Sequence, residues 1–151
     1  MKTALTLAMA GLLSLANFAQ AQTATKVTIT FHTTDDDKDG DTQVQDRIMI
    51  GGNEVAELFC CSVHANGDTF GNNSVTSRDM QITQSFSKAD LRSGASLVLG
   101  MTPHGNDNWH FVPSLDIQFS DGTSRHWAFD QVELDSLGSA ASQTVRFSTN
   151  P

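Results

Sequence analysis

Lys26-Val27-Thr28-Ile29-Thr30-Phe31-His32 runs on into Asp35-Asp36-Asp37-Lys38-Asp39-Gly40-Asp41-Thr42-Gln43-Val44-Gln45-Asp46, and how the first stretch folds decides what the second can be. Val27, Ile29 and Phe31 alternate with Thr28, Thr30 and His32. A period of two, rich in β-branched residues, predicts a half-buried strand. The acidic stretch has the D-x-D-x-D-G spacing of a calcium loop: Asp35, Asp37 and Asp39 at positions 1, 3 and 5, Gly40 at the sharp turn, and Asp46 at position 12. An EF-hand needs helices on both flanks, so the strand excludes that fold. Calcium itself asks only for six to eight hard oxygens at ~2.3–2.6 Å, which a loop between two strands can supply. Five aspartates within residues 35–41 repel one another, each close pair by up to ~4 kcal/mol at a surface-like dielectric. The loop is therefore a cation site or a solvated coil.

Outward from this loop the alternation continues. Val44, Ile48 and Ile50 form a second predicted strand, Gly51-Gly52-Asn53 a turn, and Val55 to Cys61 a third strand. Further strands are expected around Val75, Met80 and Ile82, around Leu97 to Met101, and from Trp109 through Phe119 to the Asp121-Gly122 hairpin signal. Trp127, Phe129, Val132 and Leu134 answer that hairpin as one strand, and Val145 to Ser148 closes the series. Ser87-Lys88-Ala89-Asp90 opens a single helical turn with a capping-box pattern. Eight short strands with turn signals between them predict an all-β chain, an antiparallel β-sandwich forming one domain over residues 22–151.

Residues 1–21 read as a bacterial secretory signal peptide: Lys2, an apolar stretch from Ala4 to Ala16, and the Ala19-Gln20-Ala21 cleavage pattern. The apolar stretch is too short to span a bilayer, and no later segment replaces it. A secreted or periplasmic location is expected. The net charge of −8 becomes −9 once Lys2 is removed, which argues against nucleic acid and against electrostatic capture by anionic lipid. Cys60 and Cys61 are adjacent, and on a regular strand their side chains point to opposite faces. An ordinary intrachain disulfide is therefore not expected. Two thiols, an intermolecular bridge and a vicinal redox pair stay open.

Asp46 falls at a position whose parity, counted from Val44 and Ile48, points inward, where a carboxylate needs a cation or several donors. A second oxygen-rich stretch, His104-Gly105-Asn106-Asp107-Asn108, can complete a site with the acidic loop or form an ordinary turn. The same two options hold for Asn66, Asp68, Asn72 and Asn73. Catalytic signals are sparse. The histidines lack metal spacing, no nucleophile elbow or H-E-x-x-H is present, and no pair of carboxylates stands out.

The mature chain resembles the PLAT/LH2 domain, a calcium-responsive β-sandwich. The resemblance rests on the order of the Lys26 to Thr30 strand with its acidic loop, Phe70 and the strand through Met80 and Ile82, Ala89-Asp90-Leu91, Leu97 to Gly100, Asn108 to Phe111, and Asp121-Gly122-Thr123 with Phe129. It implies calcium positions in the loop from Asp35 to Asp41 and at Asn106 and Asp107, the two loops lying together at one end of the sandwich. The expected function is a non-enzymatic calcium-binding module, with calcium as cofactor, that contacts a lipid surface or another exported protein through metal-ordered loops, with Phe70 or Trp109 as an exposed apolar anchor. The competing expectations are a small secreted hydrolase or toxin with structural calcium, and a structural or inhibitory partner of another exported protein.

Overall fold

A computed structural model describes residues 22–61, 70–103, 107–135 and 141–148. Residues 1–21, on which the signal-peptide expectation falls, lie outside the described residues, as do Asn66, Asp68, His104 and Asn106. The described chain forms nine strands and one helical turn: β1 (Ala24–Thr33), β2 (Gln43–Ile50), β3 (Asn53–Cys60), β4 (Val75–Ile82), α1 (Lys88–Arg92), β5 (Ala95–Thr102), β6 (Asn108–Phe119), β7 (Ser124–Ala128), β8 (Val132–Asp135) and β9 (Ser142–Phe147). No helix among the described residues is long and apolar enough to cross a membrane.

All pairings are antiparallel, in the order β7-β6-β1-β4-β3-β2-β5-β9, with β8 also on β6. The fold is all-β and nearly closed. β4 pairs with β1 over six residues but with β3 over only two, which hinges the sheet into two layers. The free edges meet where Trp127 on β7 packs 5.0 Å from Phe147 on β9. Strand parity fills the space between the layers: Val27, Ile29 and Phe31 from β1 and Leu115, Ile117 and Phe119 from β6 face Val44 and Ile48 from β2 and Leu97, Leu99 and Met101 from β5, all buried.

Local sequence chemistry explains the connections. Ile50 pairs with Asn53 across Gly51-Gly52, whose φ values of 57° and 84° suit the two-residue turn that matches strand twist. Ser87 and Asp90 form the reciprocal capping box of α1, with Ser87 N–H donating to Asp90 Oδ2 at 2.7 Å. The stretch predicted as one strand from Trp127 to Leu134 is two. Phe111 pairs with Val132 and Ser114 with Ala128, so the ladder shifts by one residue opposite Pro113. Pro113 accepts a hydrogen bond from Phe129 N–H at 3.1 Å but has no N–H to return. The ladder therefore breaks there, and β8 restarts in a new register.

Candidate functional site

The acidic loop connects β1 to β2, and its centre is occupied by its own lysine. Lys38 is fully buried; its Nζ donates to the carbonyl oxygens of Asp39 at 2.6 Å and Thr42 at 2.9 Å and lies 5.2 Å from the centre of the Phe70 ring. Asp107 joins the loop, its Oδ2 accepting from Asp39 N–H at 3.2 Å. Burial raises the Asp107 carboxyl above its ordinary value, against the lowering effects of its hydrogen bonds and of the Lys38 charge. A buried ammonium is tolerated only with such oxygens around it. Lys38 thus supplies positive charge where an oxygen-rich loop would otherwise need a cation.

His110 clamps the loop from the side. Its Nδ1 lies 3.0 Å from Asp35 Oδ1 and its Nε2 3.6 Å from Glu133, while its backbone N–H donates to Asp36 O at 3.1 Å and its carbonyl accepts from Thr34 N–H at 2.9 Å. The hydrogen bond from His110 lowers the exposed Asp35 carboxyl, and Asp35 in turn raises the imidazole. Asp35 therefore pairs with His110 and Asp39 with Asp107, while Asp37 and Asp41 stay half-buried along the loop. Among the described residues, no three His, Cys, Asp or Glu side chains are grouped to hold a metal ion.

Asp46 points inward, as parity predicts, and is 1% exposed. Its Oδ1 accepts from Gly100 N–H at 3.1 Å and its Oδ2 has no hydrogen-bond partner. Burial pushes its carboxyl up to about 8, so at neutral pH the group is mainly a neutral acid. Protonation removes the buried charge without a cation. Gly100 makes the contact possible, because a Cβ there would lie 2.9 Å from Gln45 O.

Two sequence expectations are corrected at this end. Phe70 is 1% and Trp109 0% exposed, so neither serves as an exposed anchor. Both belong to an aromatic cluster with Phe31 and Phe111, with ring separations of 3.9–5.5 Å, and Trp109 Nε1 donates to Thr33 Oγ1 at 3.1 Å. Burying four rings outweighs presenting two to water. Cys60 and Cys61 are bonded to each other. The expectation of opposed side chains fails because β3 ends at Cys60 and Cys61 takes the left-handed φ of 73°.

A second feature, unforeseen from sequence, lies on the outer face of β2-β5-β9. The registers align Met49 with Ser96 and Arg146, and Arg47 with Val98 and Thr144, while Gly100 pairs with Ser142. The middle strand thus presents Ser96, Val98 and Gly100 between longer side chains on its neighbours. Small residues in the middle leave a trough of about 850 Å³, continued past Val98 by one of about 280 Å³. Ser93 and Ser148 border it with Thr144, and the Gly51-Gly52 turn closes one end. No Asp or Glu lines either part. Arg146 is exposed there and forms no ion pair or hydrogen bond among the described residues, whereas Arg47 lies 3.5 Å from Glu54. Phe59, 65% exposed, pairs with Gln45 on the same outer face.

On the other layer's outer face several polar groups are paired: Lys26 and Thr28 with Asp79, Thr30 with Ser77, and His126 with Asp116, at 2.8–3.2 Å. The trough was missed because its signal, small residues at alternate positions of one strand, has meaning only once β5 is known to lie between β2 and β9. No protein-family model and no curated protein matches this chain.

Proposed function

We propose that the protein is an exported, non-catalytic β-sandwich binding module whose contact surface is the trough over β5. The observation that carries this is Arg146: a cation without a partner among the described residues, in a groove without carboxylates, on a chain with 17 acidic and 9 basic residues. Other arginines, Arg92 and Arg125, are also exposed without an ion pair among the described residues. Arg146 differs from them in standing in a concave trough lined by hydroxyls and no carboxylate, where a ligand can supply the partner. Export is supported by the N-terminal signal pattern and by the Cys60–Cys61 bond, since disulfides persist in oxidising compartments.

On this reading the acidic end is a self-neutralised cap. Calcium binding there, the function implied by the PLAT/LH2 resemblance, draws support from the meeting of Asp39 with Asp107. It requires the ion to displace Lys38 from two carbonyl oxygens, and we therefore assign the contact role to the trough.

Amide chemical-shift mapping tests the assignment with a panel of anions: an acidic oligosaccharide, inorganic phosphate, an acidic peptide and anionic lipid vesicles. The expected result is that a panel member shifts the amides of Ser96, Gly100, Ser142 and Thr144. Shifts confined to residues 35–42, or none from any member, would sink the assignment.

A further inference from the structure

We propose that the trough binds an oligosaccharide bearing carboxylate groups, held by Arg146 and by contacts along β5, with Phe59 as a stacking surface beside it. This names the ligand class and rests on the trough being the contact surface.

Width comes first. β2 and β9 lie two strand spacings apart, about 10 Å. That admits one sugar chain, whereas an α-helix with its side chains needs about 10–12 Å and more again for the flanking arginines. An extended peptide lying in the trough is disfavoured for a different reason: strand addition requires a sheet edge, and the floor strand β5 is already bonded on both sides, to β2 and β9. A bilayer is flat and the trough is concave.

The lining points the same way. Ser93, Ser96, Thr144 and Ser148 offer hydroxyls that both donate and accept. Val98 and Met49 supply a short apolar strip between them. A sugar ring has that composition, with hydroxyls around its rim and an apolar face of C–H groups. Phe59 adds an exposed aromatic ring on the same sheet face, next to Gln45, where a ring face can stack against a sugar.

Charge then selects among sugars. The guanidinium of Arg146 is suited to bidentate pairing with a carboxylate, and nothing acidic in the trough competes for it. A densely charged polyanion is opposed by the net charge of −8. A carboxylate on a sugar ring seated against Arg146 meets both conditions, since no Asp or Glu lines the trough and protein charges more than about 8–10 Å away are largely screened in saline.

Isothermal titration with tetragalacturonate, with its fully methyl-esterified form and with a neutral tetramer, all in EDTA, tests the class. EDTA removes calcium, so any bridging through the acidic loop is excluded. The acid form is expected to bind about tenfold more tightly than the ester. Arg146→Ala should abolish that preference, Arg146→Lys should keep part of it, and Phe59→Ala should weaken acid and ester alike. Arg125→Ala, an exposed arginine on β7, should change nothing. Equal binding of acid and ester, or an acid preference that survives Arg146→Ala, overturns the carboxylate proposal while leaving the trough as contact surface. Trough amides that respond to phosphate or peptide but to no saccharide overturn the ligand class alone. Silence of the trough toward every probe overturns the class and the contact surface together.

Discussion

The acidic end and the trough settle their charges in opposite ways. Residues 35–41 carry five aspartates, yet the cations there are committed: Lys38 is buried against two carbonyl oxygens, and His110 is held between Asp35 and Glu133. The trough carries few charges, and Arg146 is left without a partner among the described residues. Charge density in the sequence therefore points to one end of the molecule and unmet charge to another. A ligand site needs groups whose interactions are completed by the ligand, so the second criterion is the more informative. Asp46 sits between the two cases, inside the sheet beneath Gly100, and answers its buried charge by keeping its proton.

Asp46→Asn should give the largest effect and shows whether that third solution is real. With the folded carboxyl at about 8 against an ordinary 3.8, the native state binds more protons than the unfolded chain between these values. Stability then falls as pH rises from about 4 to 8, the reverse of the usual aspartate, and levels off above 8. The loss is on the order of 5 kcal/mol across that window. The asparagine variant lacks this titration, so denaturant unfolding should show its advantage over the parent growing from small at pH 4 to several kcal/mol at pH 8. A difference that stays constant with pH would mean that Asp46 is ionised and neutralised in some other way, and the comparison would lose its middle case.

Lys38→Met comes next. Removing a buried charge from its partners costs about 3–5 kcal/mol, because the Asp39 and Thr42 carbonyls lose their donor and the aspartates their nearest counter-charge. If Lys38 takes the place of an ion, calcium should raise the variant's melting temperature at concentrations up to about 10 mM, beyond the ~10⁻³ M weak end of extracellular calcium modules. The parent protein should melt at the same temperature in calcium and in EDTA. A parent that gains stability from calcium, as about 2.7 kcal/mol would at 100 times the dissociation constant, would return the acidic loop to the status of a metal site.

Much of the fold was legible because strand parity is a local property. Val27 to Phe31, the Gly51-Gly52 turn, the capping box at Ser87 and the inward position of Asp46 all follow from a few neighbouring residues. Most of the errors have a different origin. Splitting the last hairpin depended on Pro113, which lies 14 positions or more before the residues of the separated strand and acts only through pairing. Phe70 stands in a polar stretch without periodicity, so nothing local marks it as inward. Trp109 shares the parity of Phe111, Leu115, Ile117 and Phe119, which already places it on the buried face, and the anchor expectation overlooks that. Lys38 stands in the acidic run with no motif or period of its own. Nothing in its immediate neighbours says that its side chain turns inward under Phe70. The trough required the order β2-β5-β9, a property of the whole sheet.

Arg146→Ala should have the smallest effect on stability and so isolates the trough from the rest of the fold. An exposed side chain without a partner contributes little to folding, and substitutions of this kind stay within about 0.5 kcal/mol. Lys38→Met and Arg146→Ala each remove one cation from an acidic protein, so a general charge effect would shift both melting temperatures alike. The local account expects a large loss for the first and almost none for the second, in the same buffer and at the same ionic strength. If Arg146→Ala costs as much as Lys38→Met, the guanidinium is holding the β5-β9 edge together and its charge is already in use. If stability is unchanged while the trough amides no longer respond to anions, Arg146 is held for a ligand rather than for the fold.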